Sequence, residues 1–336
     1  MQQLRFCFQN GAARRIRMKN NKLVNFYYTF WRSRESDRDE ALIRNFFNKT
    51  IVDDGTPYDP TEVSHYLNDS QFVEKTIIEY ILNMEHLEVN MEYLSLYVRQ
   101  MNASAVKEGA DKVIIMDELL TYTTLSFFLT VYSYAYDDTS KNTERCIQNM
   151  YDILENQSKR HMIVVHNIAD IIQMISLPKN IINLATDTFW NAWTFIIGHE
   201  LFHLSVSTEI SEIQEEYEAD AYGYKLLLQM IEKQKREEIP KSIKIYFENM
   251  YLAPVMLFQY FSTIDEYRKL SGDLIEYIDH PSPENRQNHI FEMFETDVPD
   301  DFETDEGNEV LNIFLESLES LKTNVYQKYF SDMERD

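Results

Sequence analysis

The chain has 336 residues, of which 44% are hydrophobic and 26% charged, the balance of a globular protein with a sizeable core. Only 7 residues are glycine, roughly a third of average usage, which argues against folds built on glycine-rich phosphate loops and favours a mostly helical protein. The excess of 56 acidic over 32 basic residues gives a net charge of −24, which disfavours nucleic acid or an anionic membrane as a partner. The same charge also serves simply to keep a protein in solution.

The N-terminal segment is basic and has no continuous apolar stretch of the kind found in secretory signals. We interpret residues 1–20 as a disordered arm or as an upstream extension before a start near Met18. A transit peptide and a nucleic-acid-binding arm are the alternatives. The two cysteines, Cys7 and Cys146, cannot form a disulfide framework, so a reducing, cytoplasmic location is expected.

Three segments of the first half of the chain have clear patterns. Apolar residues recur at helical spacing over 61–101, which predicts helix there. The run KVIIM at 112–116 is short and β-branched, which predicts a strand. Residues 119–136 include no charge over 18 positions, but acids flank them on both sides, where a membrane span would have basic residues on its cytoplasmic side. Together with their many hydroxyl groups, this favours a buried core helix.

The second half of the chain is predicted to form a series of helices. A helix is expected through residue 156, and residues 187–206 are apolar and long enough for five turns after an N-cap at Thr186 or Asp187. The next helix is predicted at about 213–235, because Pro240 bars its continuation.

The C-terminal segment is strongly acidic. Residues 297–320 hold nine acids and no base. Their apolar residues recur with helical spacing, which predicts an amphipathic terminal helix with a solvated acidic face. The stripe consists of Val310, Phe314, Leu318 and Leu321.

The segment GHELFH contains the residues most suited to chemistry, His199, Glu200 and His203. On a helix, positions i and i+4 lie on one face, so the two imidazoles can bind one zinc ion. Glu200 projects about 100° away, where it can act on an activated water without being a ligand. The alternative is a pair of core histidines spaced by chance. Val206 and Glu209 stand where the HExxHxxGxxH class requires glycine and histidine, which excludes that class.

A third ligand is expected in the segment EEYEADAYG. Glu216, Ala219, Asp220 and Gly223 are spaced i, i+3, i+4 and i+7, so they share one helix face. Glu216 can complete a His₂Glu site, while Asp220 accepts a hydrogen bond from a ligand histidine. The two small residues leave room for the first helix to approach. The alternative is a solvated acidic helix.

These motifs resemble the gluzincin zinc metallopeptidases, above all the HtpX and CAAX prenyl protease family. HExxH followed by Glu-aromatic-x-Ala-Asp is the first match, and the segment 102–105 (NASA) with 112–120 (KVIIMDELL) resembles that family's Asn-Ala-x-Ala segment, strand and helix start. HPSPENR at 280–286 resembles its HPPxxxR. The resemblance implies an α+β, predominantly helical fold with a zincin-like core. In it, a small sheet containing 112–116 covers the HExxH helix, and the Glu216 helix lies behind.

The sequence also departs from that family. The family's membrane helices are missing, so the chain resembles soluble, diverged relatives such as the cytosolic peptidases tied to phage exclusion and stress regulation. Only 12 residues separate His203 from Glu216, which requires a tight turn around 205–211. In the family, the segment matching His280 and Arg286 lies near the active site, where either residue could hydrogen-bond an oxyanion. Alternatively, Arg286 pairs with acids such as Asp220 and ties down a loop.

The expected function is that of a zinc-dependent endopeptidase acting on a cytosolic protein. Glu200 would take the proton of the attacking water and pass it to the leaving amine. The strand residues Val113, Ile114 and Ile115 would bind a substrate segment as an added strand. The competing interpretation is a non-catalytic, peptidase-like interaction module.

The chain is expected to divide into three parts. After the arm comes a helical, zincin-like domain at 21–296, with a long helical insertion at 121–185, followed by the acidic tail at 297–336. Neither the insertion nor the tail is needed to build the metal site, so both are candidates for regulation. They could bind a regulatory partner, or the tail could lie over the cleft and inhibit the enzyme.

Overall fold

The computed structural model describes residues 77–83, 91–96, 103–109, 111–136, 139–159, 178–205, 211–239, 251–273, 275, 277, 280–297 and 304–330. The predicted N-terminal arm at 1–20 lies outside these residues. Over the described residues the fold is α+β and predominantly helical, as predicted, with helices packed around one small mixed sheet.

The sheet has the strand order β1-β3-β2. Strands β2 (Ala103–Glu108) and β3 (Asp111–Asp117) form an antiparallel hairpin, and Gly109 adopts a φ of 61° in its turn, which glycine tolerates without strain. Strand β1 (Met91–Leu96) pairs with β3 in parallel. The strand prediction at 112–116 is therefore confirmed, with one more residue at each end.

The prediction of helix over 61–101 is wrong at β1. The apolar residues of this short segment fit a helical spacing, but they fit a strand as well, and short apolar runs do not separate the two. Parallel pairing with β3, more than 20 positions further along the chain, supplies backbone partners that local spacing does not reveal. A helical stretch does lie within the predicted range, at 77–83.

Seven longer helices follow the sheet among the described residues. They are α1 (Glu118–Tyr136), α2 (Ser140–Lys159), α3 (Lys179–Ser205), α4 (Glu212–Lys235), α5 (Ala253–Leu270), α6 (Pro283–Asp297) and α7 (Thr304–Phe330).

Helix α1 is the buried, hydroxyl-rich helix predicted at 119–136. Two of its hydroxyl groups illustrate how they are satisfied, locally or across to α3: Thr130 donates to the Ser126 carbonyl at 2.7 Å, and the Tyr132 and Thr188 hydroxyls lie 2.9 Å apart. Among the described helices, none is both long enough and apolar enough to span a membrane. Because α1 packs against α3, the first part of the segment that we interpret as an insertion is built into the core.

Helix α3 begins at Lys179, eight residues earlier than predicted. Thr186 is not an N-cap, since its hydroxyl donates to the carbonyl of Ile182 at 2.6 Å in the helix interior. The first turn instead begins at Pro178, whose carbonyl accepts from the amides of Ile181 and Ile182. A Thr-Asp pair is therefore a helix-start signal only when no helix already precedes it.

Helix α4 matches its predicted bounds within one residue. Ser211 caps its N-terminus by accepting a hydrogen bond from the Gln214 amide. The tight turn predicted around 205–211 lies largely outside the described residues.

Helix α7 is amphipathic as predicted, although it runs over 304–330. Phe314, Leu318 and Leu321 are buried, whereas the acids on the opposite face, Glu316 and Glu319 among them, are exposed. The helix packs against α1, α2 and α5, with the Phe314 ring against aromatic rings of α1. The described part of the acidic tail thus packs on the helical core, and a role of the tail in autoinhibition stays a prediction.

Candidate metal centre

Helices α3 and α4 pack closely against each other and carry the residues of the HExxH and Glu-x-x-x-Asp motifs. Gly198 on α3 faces Gly223 on α4, and Ala219 on the same face of α4 is fully buried. With no large side chain between the two backbones, the first turns of α4 lie directly opposite the last turns of α3. The short connection between the helices therefore places Glu216 beside the two motif histidines.

His199, His203 and Glu216 form a group in which one ligand atom from each residue lies within 4.8 Å of the others. The His199 Nε2 atom is 3.5 Å from Glu216 Oε2, and the His203 Nε2 atom is 3.5 Å from Glu216 Oε1. The two Nε2 atoms are 3.0 Å apart. Two imidazole nitrogens and a carboxylate converging in this way can bind a metal ion.

Each of the two imidazoles has a carboxylate at its other nitrogen. His199 Nδ1 lies 3.0 Å from Asp220 Oδ1, and His203 Nδ1 lies 2.9 Å from Glu215 Oε1. An ionised carboxylate only accepts, so both Nδ1 atoms carry the proton and, in neutral imidazoles, both Nε2 atoms present lone pairs. Two lone pairs at 3.0 Å repel each other, and either a proton on one of these nitrogens or a metal ion bound to both relieves the repulsion. The donor set therefore fits a bound cation.

The pKa values of Glu216 and His203 also show that the group favours a positive charge. Burial raises the pKa of Glu216, but the hydrogen bond from His203 and the charges of His199 and Arg286 outweigh it and hold that pKa at about 2. The pKa of His203 is raised to about 9, chiefly by its hydrogen bond to Glu216, despite the opposing effect of burial. Glu216 is thus anionic at neutral pH and stabilises a cation next to it.

Glu200 lies beside this group on α3 without belonging to it. Its side chain is buried, and burial raises the pKa of its carboxyl above the ordinary value, although the neighbouring histidines act in the opposite direction. A carboxylate with a raised pKa is a stronger base than a solvated one, which suits it to accept a proton.

Arg286, on α6, pairs with Asp220. Its Nε atom donates to Asp220 Oδ2 at 2.8 Å and its Nη2 atom to Oδ1 at 2.5 Å, while Nη1 is 3.5 Å from Glu216 Oε2. Asp220 is fully buried, and although burial raises its pKa, the charge of Arg286 outweighs this and keeps the carboxyl ionised. Arg286 therefore makes the ion pair with Asp220 that was one of its two predicted roles, and this pair connects α6 to α4.

His280 lies on the solvent side of the group. Its Nδ1 atom is 3.2 Å from Glu216 Oε1, and 68% of its side chain is exposed. It is therefore next to a candidate ligand, and one side of its ring is open to a molecule arriving from solvent.

A model of the family described as Peptidase U49 matches residues 125–303, slightly more than half of the chain. The chain belongs to the peptidase U49 family. The matched range contains α3, α4 and α6, and with them the candidate ligands His199, His203 and Glu216 and their neighbours. No curated protein and no solved structure matches the chain.

One predicted site in this U49 peptidase is wrong. Val113, Ile114 and Ile115 lie in β3, the central strand of the described sheet, which pairs with β1 on one side and β2 on the other. Its backbone hydrogen-bonding groups are therefore engaged on both edges, and the three side chains are buried. A substrate segment cannot be added to this strand.

Glu215 was not among the predicted site residues of the U49 peptidase; it belongs to the acids of α4 that the alternative interpretation, a solvated acidic helix, would leave in solvent. No local sequence pattern marks this role, because it depends on how α3 and α4 pack against each other. The contacts of His199 with Asp220 and of His203 with Glu216 show that α3 and α4 run antiparallel. An acceptor for His203 Nδ1 must then lie about one turn before Asp220, and Glu215 is an acid at that level.

Proposed function

We propose that this U49 peptidase is a zinc-dependent endopeptidase of the gluzincin class, with His199, His203 and Glu216 as the zinc ligands. The observation that carries the proposal is the convergence of these three ligands beside the buried carboxylate of Glu200, in a chain that belongs to a peptidase family. Two imidazoles and one carboxylate form the ligand set that zinc takes in catalytic sites, where a further coordination position stays open.

When bound, zinc supplies Lewis-acid catalysis, which lowers the pKa of water toward 7 and polarises a carbonyl. Glu200 accepts the proton of the attacking water at its carboxylate and then delivers it to the nitrogen of the leaving amine. His280 donates a hydrogen bond to the oxyanion that develops on the carbonyl oxygen. Its exposed ring next to Glu216 supports this role.

Substrate binding is proposed at β2. Among the described strands, β1 and β2 are the two edges of the sheet, and β2 packs against α3, which carries the HExxH motif. An extended peptide can pair with the outer edge of β2 through backbone hydrogen bonds, which gives affinity with little dependence on sequence. The likeness of residues 102–105 to the Asn-Ala-x-Ala segment of the HtpX and CAAX prenyl protease family also supports this position.

The substrate is proposed to be a cytosolic protein. The chain has only two cysteines, too few for a disulfide framework, and Cys146 is buried in the core, as expected for a protein of a reducing compartment. A role in phage exclusion or stress regulation is part of this proposal, because it rests on the resemblance to cytosolic peptidases of that kind. Fractionation of cells that express a tagged full-length chain tests the compartment. Growth of cells induced for wild type or Glu200→Gln tests whether any toxicity requires the peptidase activity.

The central test combines metal analysis with digestion of a peptide library. Wild type is expected to carry about one zinc per chain and to cleave peptides internally. Glu200→Gln is expected to keep the zinc and lose cleavage, while Glu212→Gln, which removes an exposed acid from α4, keeps both. Wild type that binds zinc but cleaves nothing would indicate a non-catalytic module, and wild type without affinity for zinc would overturn the proposal.

A further inference from the structure

We infer that Glu215 is a positioning residue of the metal centre: it orients His203 and strengthens that residue as a ligand. The inference rests on the proposed zinc site. Glu215 directly precedes Glu216 on α4, and its Oε1 atom lies 2.9 Å from His203 Nδ1. Adjacent residues of α4 thus contact both ring nitrogens of one histidine, because His203 Nε2 faces Glu216 at 3.5 Å.

The contact with Glu215 decides which nitrogen of His203 faces the metal. A carboxylate accepts but does not donate, so it holds a proton at Nδ1, and the neutral imidazole that binds a metal then has its lone pair on Nε2, the nitrogen that faces Glu216 and His199. A carboxylate at the remote nitrogen also makes an imidazole a stronger electron donor to a metal. Without Glu215, the ring can rotate or take the other tautomer, which would place an N–H group where the ligand atom belongs.

The two histidines differ in how much negative charge their partners supply. Asp220 Oδ1 accepts from His199 and also from Arg286 Nη2, so the charge of Asp220 is shared with a guanidinium. Among the residues that the structure describes, no lysine or arginine forms an ion pair with Glu215. His203 is therefore the charged partner of this carboxylate among the described residues, and no cation there competes for it.

His203 is also more exposed to water than His199, so its orientation depends more strongly on a hydrogen-bond partner. Its side chain is 20% exposed, compared with 9% for His199, so water competes for its Nδ1 proton. Glu215 is itself 32% exposed and lies at the rim of the site. A charged acceptor competes with water for this proton far better than a neutral one does. The exposed side of the metal centre is thus held by Glu215, and the buried side by Asp220 and Arg286.

The test measures zinc affinity of the full-length protein by competition with a chromophoric chelator. Glu215→Ala is expected to bind zinc roughly 10–100-fold more weakly than wild type, and Glu215→Gln is expected to fall between them, because it keeps an acceptor oxygen but loses the charge. Glu212→Ala is the matched control: it removes another acid from the first turn of the same helix and should stay within about twofold of wild type. Circular dichroism verifies that each variant is folded. If Glu215→Ala does not fold, the comparison of Glu215→Gln with wild type tests the inference.

A second readout separates orientation from general stability. In zinc-loaded protein with ¹⁵N-labelled histidine, the Nδ1–H proton of His203 should give a slowly exchanging NMR signal that is lost in Glu215→Ala and kept in Glu212→Ala. Equal zinc affinity and an unchanged signal in Glu215→Ala would overturn the inference and leave the zinc peptidase proposal standing. Absence of zinc binding in wild type would instead overturn both.

Discussion

Gly198 on α3 and Gly223 on α4 meet with no side chain between them. A Cβ atom built on Gly198 would lie 2.7 Å from the Cα atom of Gly223, and one built on Gly223 would lie 2.6 Å from the carbonyl oxygen of Phe195. Both distances are far inside van der Waals contact with backbone atoms, which cannot move aside without separating the helices. The contact lies one residue before His199, so it fixes the distance from the motif histidines to Glu216.

The first prediction concerns this glycine contact. In a helix interior, replacing glycine with alanine normally stabilises a protein by about 0.5–1 kcal/mol. Gly198→Ala and Gly223→Ala should instead each destabilise the protein by about 1–3 kcal/mol, because the added methyl group forces the helices apart. They should also weaken zinc binding. Urea denaturation and zinc titration measure the two effects, and a stabilised variant would contradict the close packing.

The second prediction concerns the ligands. His199→Ala, His203→Ala and Glu216→Ala should each lose most of the bound zinc, because two remaining ligands hold the ion poorly. Elemental analysis after dialysis against a weak chelator measures the content. Retention of zinc in Glu216→Ala, together with its loss in Glu215→Ala, would move the third ligand to the neighbouring residue.

The third prediction concerns the pair of Asp220 and Arg286. Asp220→Ala should weaken zinc binding roughly 10–100-fold, because His199 loses its acceptor. It should also cost about 3 kcal/mol of unfolding free energy, since a largely buried guanidinium loses its main partner.

A double variant separates these two effects. Adding Arg286→Met to Asp220→Ala removes the unpaired charge and should restore part of the stability without restoring zinc affinity. Denaturation and zinc titration of the single and double variants provide the comparison. A double variant no more stable than the single one would show that the buried charge is not the source of the loss.

The fourth prediction concerns His280. If it donates to the oxyanion, His280→Ala should lower kcat by roughly 10²–10³-fold, the scale of one such donor, with zinc content unchanged. Steady-state kinetics on a cleaved peptide, combined with metal analysis, measures both quantities. Lower zinc affinity with normal turnover of the loaded enzyme would show that His280 only steadies Glu216.

The fifth prediction concerns the pH dependence of the metal-free protein. Because the pKa of His203 is raised from 6.5 to about 9 in the folded state, its protonated form stabilises the fold fully below pH 6.5, and this contribution is lost as the pH rises through 9. The loss should be on the order of 3 kcal/mol. Thermal unfolding across this range should show the decline in metal-free wild type and not in His203→Gln. A flat profile in wild type would contradict the raised pKa.

Much of the fold and of the candidate site was predictable from local sequence. The strand at 112–116, the buried α1, the bounds of α4 and the apolar stripe of α7 follow from patterns a few residues long, and the structure contains all four. Helical spacing alone places His199 and His203 on one face and Glu216 and Asp220 on another. These features depend on backbone geometry, which is the same in every helix and strand.

Tertiary structure decided how those faces meet and which strand edges stay open. The segment at β1 became a strand because β3 pairs with it, and β3 became a central strand that cannot bind substrate because β1 and β2 occupy both its edges. The partnership of Glu215 with His203 depends on the register of α3 against α4, which the contact of Gly198 with Gly223 sets. Such long-range pairings depend on the free energy of packing between segments that are distant in sequence. A local sequence pattern carries no information about that free energy.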